Sequence, residues 1–130
     1  MIVALGIDLV DSKRMARELA RGDWSPHDGV FTPSEIAYCT AGKHPERRYA
    51  TCFAAKEATL KALGMDIPDL GIFREVEIRL QAESKDVVLR RRAAAAARQL
   101  GACRILLSVA PGINRAAAMV IVESEHRRTQ

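Results

Sequence analysis

The feature that most constrains the fold is an uninterrupted helical segment at residues 45–63. Pro45 sits where a helix accepts a proline, at its first turn, and Gly64 stands where one ends. At 1.5 Å per residue such a helix is about 28 Å long, enough to cross a domain of this size. Tyr49, Phe53, Leu60 and Leu63 supply its apolar contacts, so it reads as a central helix around which the rest must pack.

The remaining segments surround it in a definite order. Residues 2–10 are almost continuously apolar and rich in branched side chains, the pattern of a buried strand. Asp11 is placed to cap a short helix carrying Met15 and Leu19 on one face, with Gly22 as its stop and a loop over 22–30. Thr32-Pro33-Ser34-Glu35 forms a capping box that opens a helix ending near Gly42. After a loop at 65–73, residues 75–80 alternate polar and apolar as a half-buried strand does, and residues 86–90 make a short partner. The alanine run at 93–97 is helical and closes at Gly101. Residues 104–109 and 116–122 bracket Pro111-Gly112-Ile113-Asn114 as a hairpin, followed by a frayed tail at 126–130. Strand, helices, two strands, helix and hairpin define an α+β class with a mainly antiparallel sheet in a single domain spanning residues 1–130.

Composition narrows the function classes. Aromatics are only 5%, which points to an aliphatic core. Cys39, Cys52 and Cys103 are odd in number and widely spaced, which fits buried reduced thiols rather than a zinc site or a disulfide framework. No apolar run reaches membrane-spanning length, and the first eight residues make a poor signal peptide, so a cytoplasmic protein is expected, with no membrane partner. A net charge of +4 favours anionic partners without choosing among them. Arg90, Arg91, Arg92, Arg98 and Arg104 around the alanine helix read as a solvated face, and the aromatics are too few to stack bases, so nucleic acid is not expected.

Two constellations carry chemistry. Asp8 closes the apolar first strand two residues after Gly6, where a neighbouring backbone or ligand can come close. Taken alone, Asp8 reads as a turn or cap residue ahead of a metal ligand. Phe53, Glu57 and Lys61 lie at i, i+4 and i+8 on one helix face, with Lys56 about 100° round the axis from Glu57. That face could hold a metal and a phosphate together, but spacing alone favours a solvated Glu57–Lys61 pair. Two carboxylates and several cations suit magnesium and pyrophosphate chemistry, because magnesium takes one or two carboxylates plus substrate phosphates.

Gly6-Ile7-Asp8-Leu9-Val10, Arg14, Phe53-Ala54-Ala55-Lys56-Glu57-Ala58 and Lys61-Ala62-Leu63-Gly64 together resemble the holo-acyl-carrier-protein synthase family of 4'-phosphopantetheinyl transferases. Phe31-Thr32-Pro33-Ser34-Glu35 and Ala118-Met119-Val120-Ile121-Val122-Glu123-Ser124 extend the likeness over nearly the whole chain. The resemblance implies the fold of that superfamily, a homotrimer with sites between subunits, and transfer of phosphopantetheine from coenzyme A to a serine of an acyl carrier protein. It implies magnesium on Asp8 and Glu57, coenzyme A contacts from Arg14, Lys56, Lys61 and the Gly64 turn, and catalytic roles for Glu57 and Lys61. Arg14 and Arg21 belong to a basic surface suited to an acidic carrier helix.

Four positions depart from the family pattern: Cys52 replaces an arginine, Gly64-Met65-Asp66 replaces a glycine-rich turn, Glu83-Ser84-Lys85-Asp86 replaces a Gly-Lys-Pro turn, and Leu106 replaces a histidine ahead of Ser108. All fall on the coenzyme A side. Lys43, Arg47, Arg48 and Lys85 are the cations available to compensate. The alternative is the same fold turned to binding or acting on an acyl, coenzyme A or carrier-linked group without the transfer.

Overall fold

A computed structural model describes residues 1–21, 29–81 and 84–125. The expected stop at Gly22, most of the 22–30 loop, part of the turn at 83–86 and the tail at 126–130 lie outside the described residues. Elsewhere the order of elements is the one expected: β1 (Ile2–Asp11), α1 (Ser12–Arg21), α2 (Pro33–Thr40), α3 (Pro45–Ala62), β2 (Val76–Leu80), β3 (Lys85–Leu89), α4 (Arg91–Gln99), β4 (Ala102–Ala110) and β5 (Arg115–Ser124). The loop at 65–73 differs, since a 3-10 helix occupies Leu70–Glu75, started by Asp69, whose carboxylate accepts from the Ile72 amide at 3.1 Å.

The strands form two antiparallel sheets rather than one: β1-β5-β4, and the separate pair β2-β3. The first and last strands pair along their length, with Gly6 opposite Val120 and Asp8 opposite Ala118. Helix α3 packs on β1 and β5 with one side, and on α1, α2 and β2 with others. It is therefore buried nearly all round, from Tyr49 to Ala62, and small residues (Ala50, Ala54, Ala55, Ala58) line it where neighbours come close.

Local signals account for the helix ends. Thr32 Oγ1 accepts from the Glu35 amide at 3.4 Å, and Glu35 Oε1 accepts from the Thr32 amide at 2.8 Å, completing the capping box. Asp11 Oδ1 accepts from the Lys13 and Arg14 amides at the start of α1. At the end of α3, Gly64 adopts φ +68°, its amide donates to Lys61 O, and the Met65 amide reaches back to Leu60 O. This is a Schellman closure, which requires a left-handed residue at that position.

Phe31, Tyr49, Phe53 and Phe73 form one cluster within an otherwise aliphatic core, with ring centroids 4.9 to 6.4 Å apart. Two expectations are corrected. Cys39 and Cys52 are buried, but Cys103 is exposed on β4. Strand β1 is buried on one face only: Gly6 faces α3, whereas Leu5, Ile7 and Leu9 are 54–60% exposed on the other. The strand's outward residues pair with Ile121, Met119 and Ala117, so the uncovered face is apolar across two strands.

Strand β2 is more buried than alternation suggests, because its acidic positions are satisfied internally. Glu77 accepts from Thr32 Oγ1 at 2.9 Å and Ser34 Oγ at 2.8 Å, and pairs with Arg79 and Arg90. Burial opposes its ionisation, but the Ser34, Thr32 and Arg90 hydrogen bonds outweigh that and hold its carboxyl down at about 2. Glu75 is matched in the same way by Arg92 at the start of α4.

Candidate active site

The site forms where β1 crosses α3. The crossing is close because Gly6 has no side chain: a Cβ there would lie 1.9 Å from the Ala58 carbonyl oxygen. Asp8 is two residues further along the same face of the strand, so its carboxylate meets the next turn of α3. That turn carries Glu57 and Lys61, four residues apart on the same helix face. Residues 49 and 53 positions away in the chain thereby converge on Asp8.

Two of the readings left open for these residues do not match the geometry. Lys61 does not form a solvated pair with Glu57; its Nζ donates to Asp8 Oδ1 at 2.6 Å. Asp8 is not a turn residue with water-facing oxygens: Oδ2 is buried. Glu57 lies beside it, half-buried, and burial together with the charge of Asp8 and a hydrogen bond shared with it pushes its carboxyl up to about 7, against a partial opposing pull from Lys61.

Two carboxylates this close, one with a buried oxygen, repel each other, and either a proton shared between them or a cation relieves that repulsion. Two hard oxygen donors fit a magnesium ion that keeps waters and shares substrate phosphates. Among the described residues no group of three His, Cys, Asp or Glu side chains is placed to hold a metal alone, so such an ion would need ligands beyond Asp8 and Glu57.

The raised Glu57 has a consequence for stability. Its folded carboxyl holds a proton more tightly than the usual 4.5, so protonation favours the folded chain. That contribution is complete below about 4.5 and is lost as pH rises through about 7. Thermal unfolding of the metal-free protein is expected to show Tm falling between pH 5 and 7, and Glu57→Gln to flatten that slope. An unchanged slope in the variant would show that Glu57 is not the group responsible.

A cavity of about 660 Å³ opens beside Glu57, lined also by Leu9, Asp11, Arg14, Met15 and Phe53 among others. Arg14 thus shares the cavity with Glu57, and its side chain is 72% exposed while bonded to Glu18 at 3.1 Å. Gly64 follows Lys61 on the open side of the helix end, with no atom within 4 Å of where a Cβ would be; its observed work is to close α3.

Lys56, expected among the phosphate contacts, is elsewhere. Its Nζ is fully buried on the far side of α3 and donates to Glu35 Oε1 at 2.7 Å, Phe73 O at 2.6 Å and Val76 O at 2.7 Å. Three partners use all three ammonium protons, leaving none for a ligand. The reason is the 100° turn between adjacent helical residues, which sends Lys56 into the core when Glu57 faces β1. Glu35 was missed as its counterpart, although its place in the capping box was readable. The same carboxylate also accepts from the Ile78 amide at 2.7 Å and Cys52 Sγ at 3.4 Å.

Cys52 accordingly points inward, so this departure from the family pattern is accommodated within the core. Asp66 and Lys85 are exposed and Leu106 is half-buried. Of the cations available to compensate, Arg47, Arg48 and Lys85 line one groove of about 490 Å³ with Tyr38, and Lys43 is not among its walls. Arg48 lies 4.1 Å over the Tyr38 ring and donates to its carbonyl at 2.6 Å.

With fold and site in place, the class follows from comparison. The sequence model of the 4'-phosphopantetheinyl transferase superfamily matches residues 4–103, and the chain belongs to that superfamily of transferases. Within it, the chain is 39% identical to a holo-[acyl-carrier-protein] synthase of Geobacter sp. strain M21, over 95% of this chain and 99% of that one. Its structure superposes on holo-[acyl-carrier-protein] synthase from Neisseria meningitidis with a TM-score of 0.81 at 27% identity, covering 95% and 100% of the two chains. A Bacillus anthracis holo-(acyl-carrier-protein) synthase, solved in complex with CoA (3',5'-ADP), matches with a TM-score of 0.74 at 25% identity, covering 96% and 99%.

Proposed function

We propose that this chain transfers 4'-phosphopantetheine from coenzyme A to a serine hydroxyl of an acyl carrier protein, with magnesium held by Asp8 and Glu57. The observation that carries this is the close approach of Asp8, whose Oδ2 is buried, to the Glu57 carboxyl. The relatives' names and the coenzyme A complex of one of them support the substrate pair.

The chain's own residues would act as follows. Glu57 takes the serine proton directly or through a water. The serine oxygen forms a bond to the β-phosphorus of coenzyme A as the bond to the adenosine 3',5'-bisphosphate oxygen breaks. Lys61 neutralises charge on the transferring phosphate and on the leaving group. Arg14 on the cavity wall contacts the cofactor phosphates, and the Gly64 turn leaves room beside them. When bound, magnesium supplies the double positive charge that the pyrophosphate requires. The Arg47, Arg48 and Lys85 groove is available to the anionic end of the cofactor, in place of the cations missing from the family pattern. Lys13, Arg14, Arg17 and Arg21, exposed along α1, would attract an acidic carrier surface.

The same proposal includes a cytoplasmic homotrimer with sites between subunits. The uncovered apolar face of β1 and β5 supports assembly, since a monomer would leave Leu5, Ile7, Leu9 and Met119 in water. No helix among the described residues is long and apolar enough to cross a membrane.

Incubation with an apo carrier protein, coenzyme A and magnesium is expected to add the mass of phosphopantetheine to the carrier. Asp8→Asn and Glu57→Gln should each slow the transfer by about a hundredfold or more. Sedimentation of the same preparation should give the mass of three chains, and a monomer would reject the assembly. No mass gain across a panel of carriers would favour the repurposed fold over the transferase.

A further inference from the structure

The cation that meets the Asp8–Glu57 pair in this structure is a side chain. Lys61 Nζ donates to Asp8 Oδ1 at 2.6 Å and to Ile7 O at 3.4 Å. Among the described residues no other ion pair reaches either carboxylate. The two partners differ sharply in exposure: the Lys61 side chain is 57% exposed, the Asp8 side chain 12%. Asp8 is therefore a largely buried acceptor with Oδ1 bonded to Lys61 and Oδ2 buried, whereas Lys61 is a long stem that reaches it from the surface.

We propose that Lys61 is a resident counter-ion of the carboxylate pair, which balances its charge when no divalent cation is present and competes with that cation for Asp8. The inference rests on the metal reading of Asp8 and Glu57 and adds a role for Lys61 that is separate from contact with substrate phosphate. The physical ground is Coulomb repulsion across a single carboxylate. An ammonium bonded to Oδ1 stands within a few ångströms of any cation bonded to Oδ2, and like charges at that distance oppose each other strongly in a partly desolvated site. The exposed lysine can leave, and the buried carboxylate cannot. Lys61 thereby lowers the affinity of the empty site for metal alone, and its ammonium becomes free for an anion once the metal is in place.

The test uses Mn²⁺ alone, titrated into the full chain without coenzyme A or carrier, by calorimetry or by the electron paramagnetic resonance of the free ion. Lys61→Met is expected to bind Mn²⁺ on the order of tenfold more tightly than the wild type, and Lys61→Arg to bind as the wild type does. Asp8→Asn should abolish the binding in each background. Because the lysine head is exposed, these variants keep the fold, which circular dichroism checks. Equal or weaker binding by Lys61→Met would overturn the counter-ion role and make the lysine a strut that orients Asp8. Absence of any Asp8-dependent binding in both wild type and Lys61→Met would overturn the metal reading as well, so the two failures are distinct.

Discussion

Replacing Lys56 with methionine is expected to lower the unfolding free energy by about 3–5 kcal/mol, because it strips the cation from a buried pair and leaves its partner charged. Glu35 would retain the Thr32 and Ile78 amides, yet its carboxylate would lose the 2.7 Å ammonium contact in a site closed to water. Phe73 O and Val76 O would lose their donor at the same time. Methionine keeps the length of the stem, so the cost is electrostatic rather than a cavity. In urea unfolding, Lys56→Met combined with Glu35→Gln should be less destabilised than Lys56→Met alone, since the orphaned charge is gone. A single variant within about 1 kcal/mol of wild type would be incompatible with the buried pair. The measurement also separates the two roles this lysine could have had: a phosphate contact would raise KM and spare stability, whereas a core strut does the reverse.

Gly6→Ala is the second change with a large expected effect, on fold and site together. The added Cβ would meet backbone at Ala58 O, Ala58 C and Ala62 N, at 1.9, 2.9 and 2.9 Å, and no flexible side chain is there to yield. Strand β1 must move away from α3, at a cost of about 3 kcal/mol or more in overpacking. The same movement carries Asp8 away from Glu57 and Lys61. A displacement near 1 Å at a reacting centre costs about a hundredfold in rate. Urea unfolding and the carrier-modification assay together check both effects. Near-normal stability with full activity would show that the strand and helix are not in the contact described.

The two predictions mark the boundary between what the residues declare locally and what they do not. The capping box at Thr32 and Glu35, the proline start of α3, its Gly64 closure and the hairpin around Pro111 and Gly112 were legible, because each depends on residues within four or five positions of one another. The pairing of Asp8 with Glu57 was reached through resemblance to a family. Spacing alone left Asp8 open to a turn and Glu57 to a surface ion pair with Lys61. The full burial of Lys56 and its bond to Glu35 were not legible. A lysine beside a glutamate on a helix looks the same in sequence whichever of the two faces solvent.

By itself, then, the chain's sequence determined the succession of elements, the length and ends of the central helix, and the glycine that lets a strand approach it. Only the tertiary structure decided that the strands divide into two sheets, that the outer face of β1 stays uncovered, that Glu75 and Glu77 are buried with arginine partners, and which of Lys56 and Lys61 reaches the site. The physical reason is range: hydrogen bonds within a helix turn or cap are set by neighbours, whereas burial and charge pairing depend on which distant segments the core brings together.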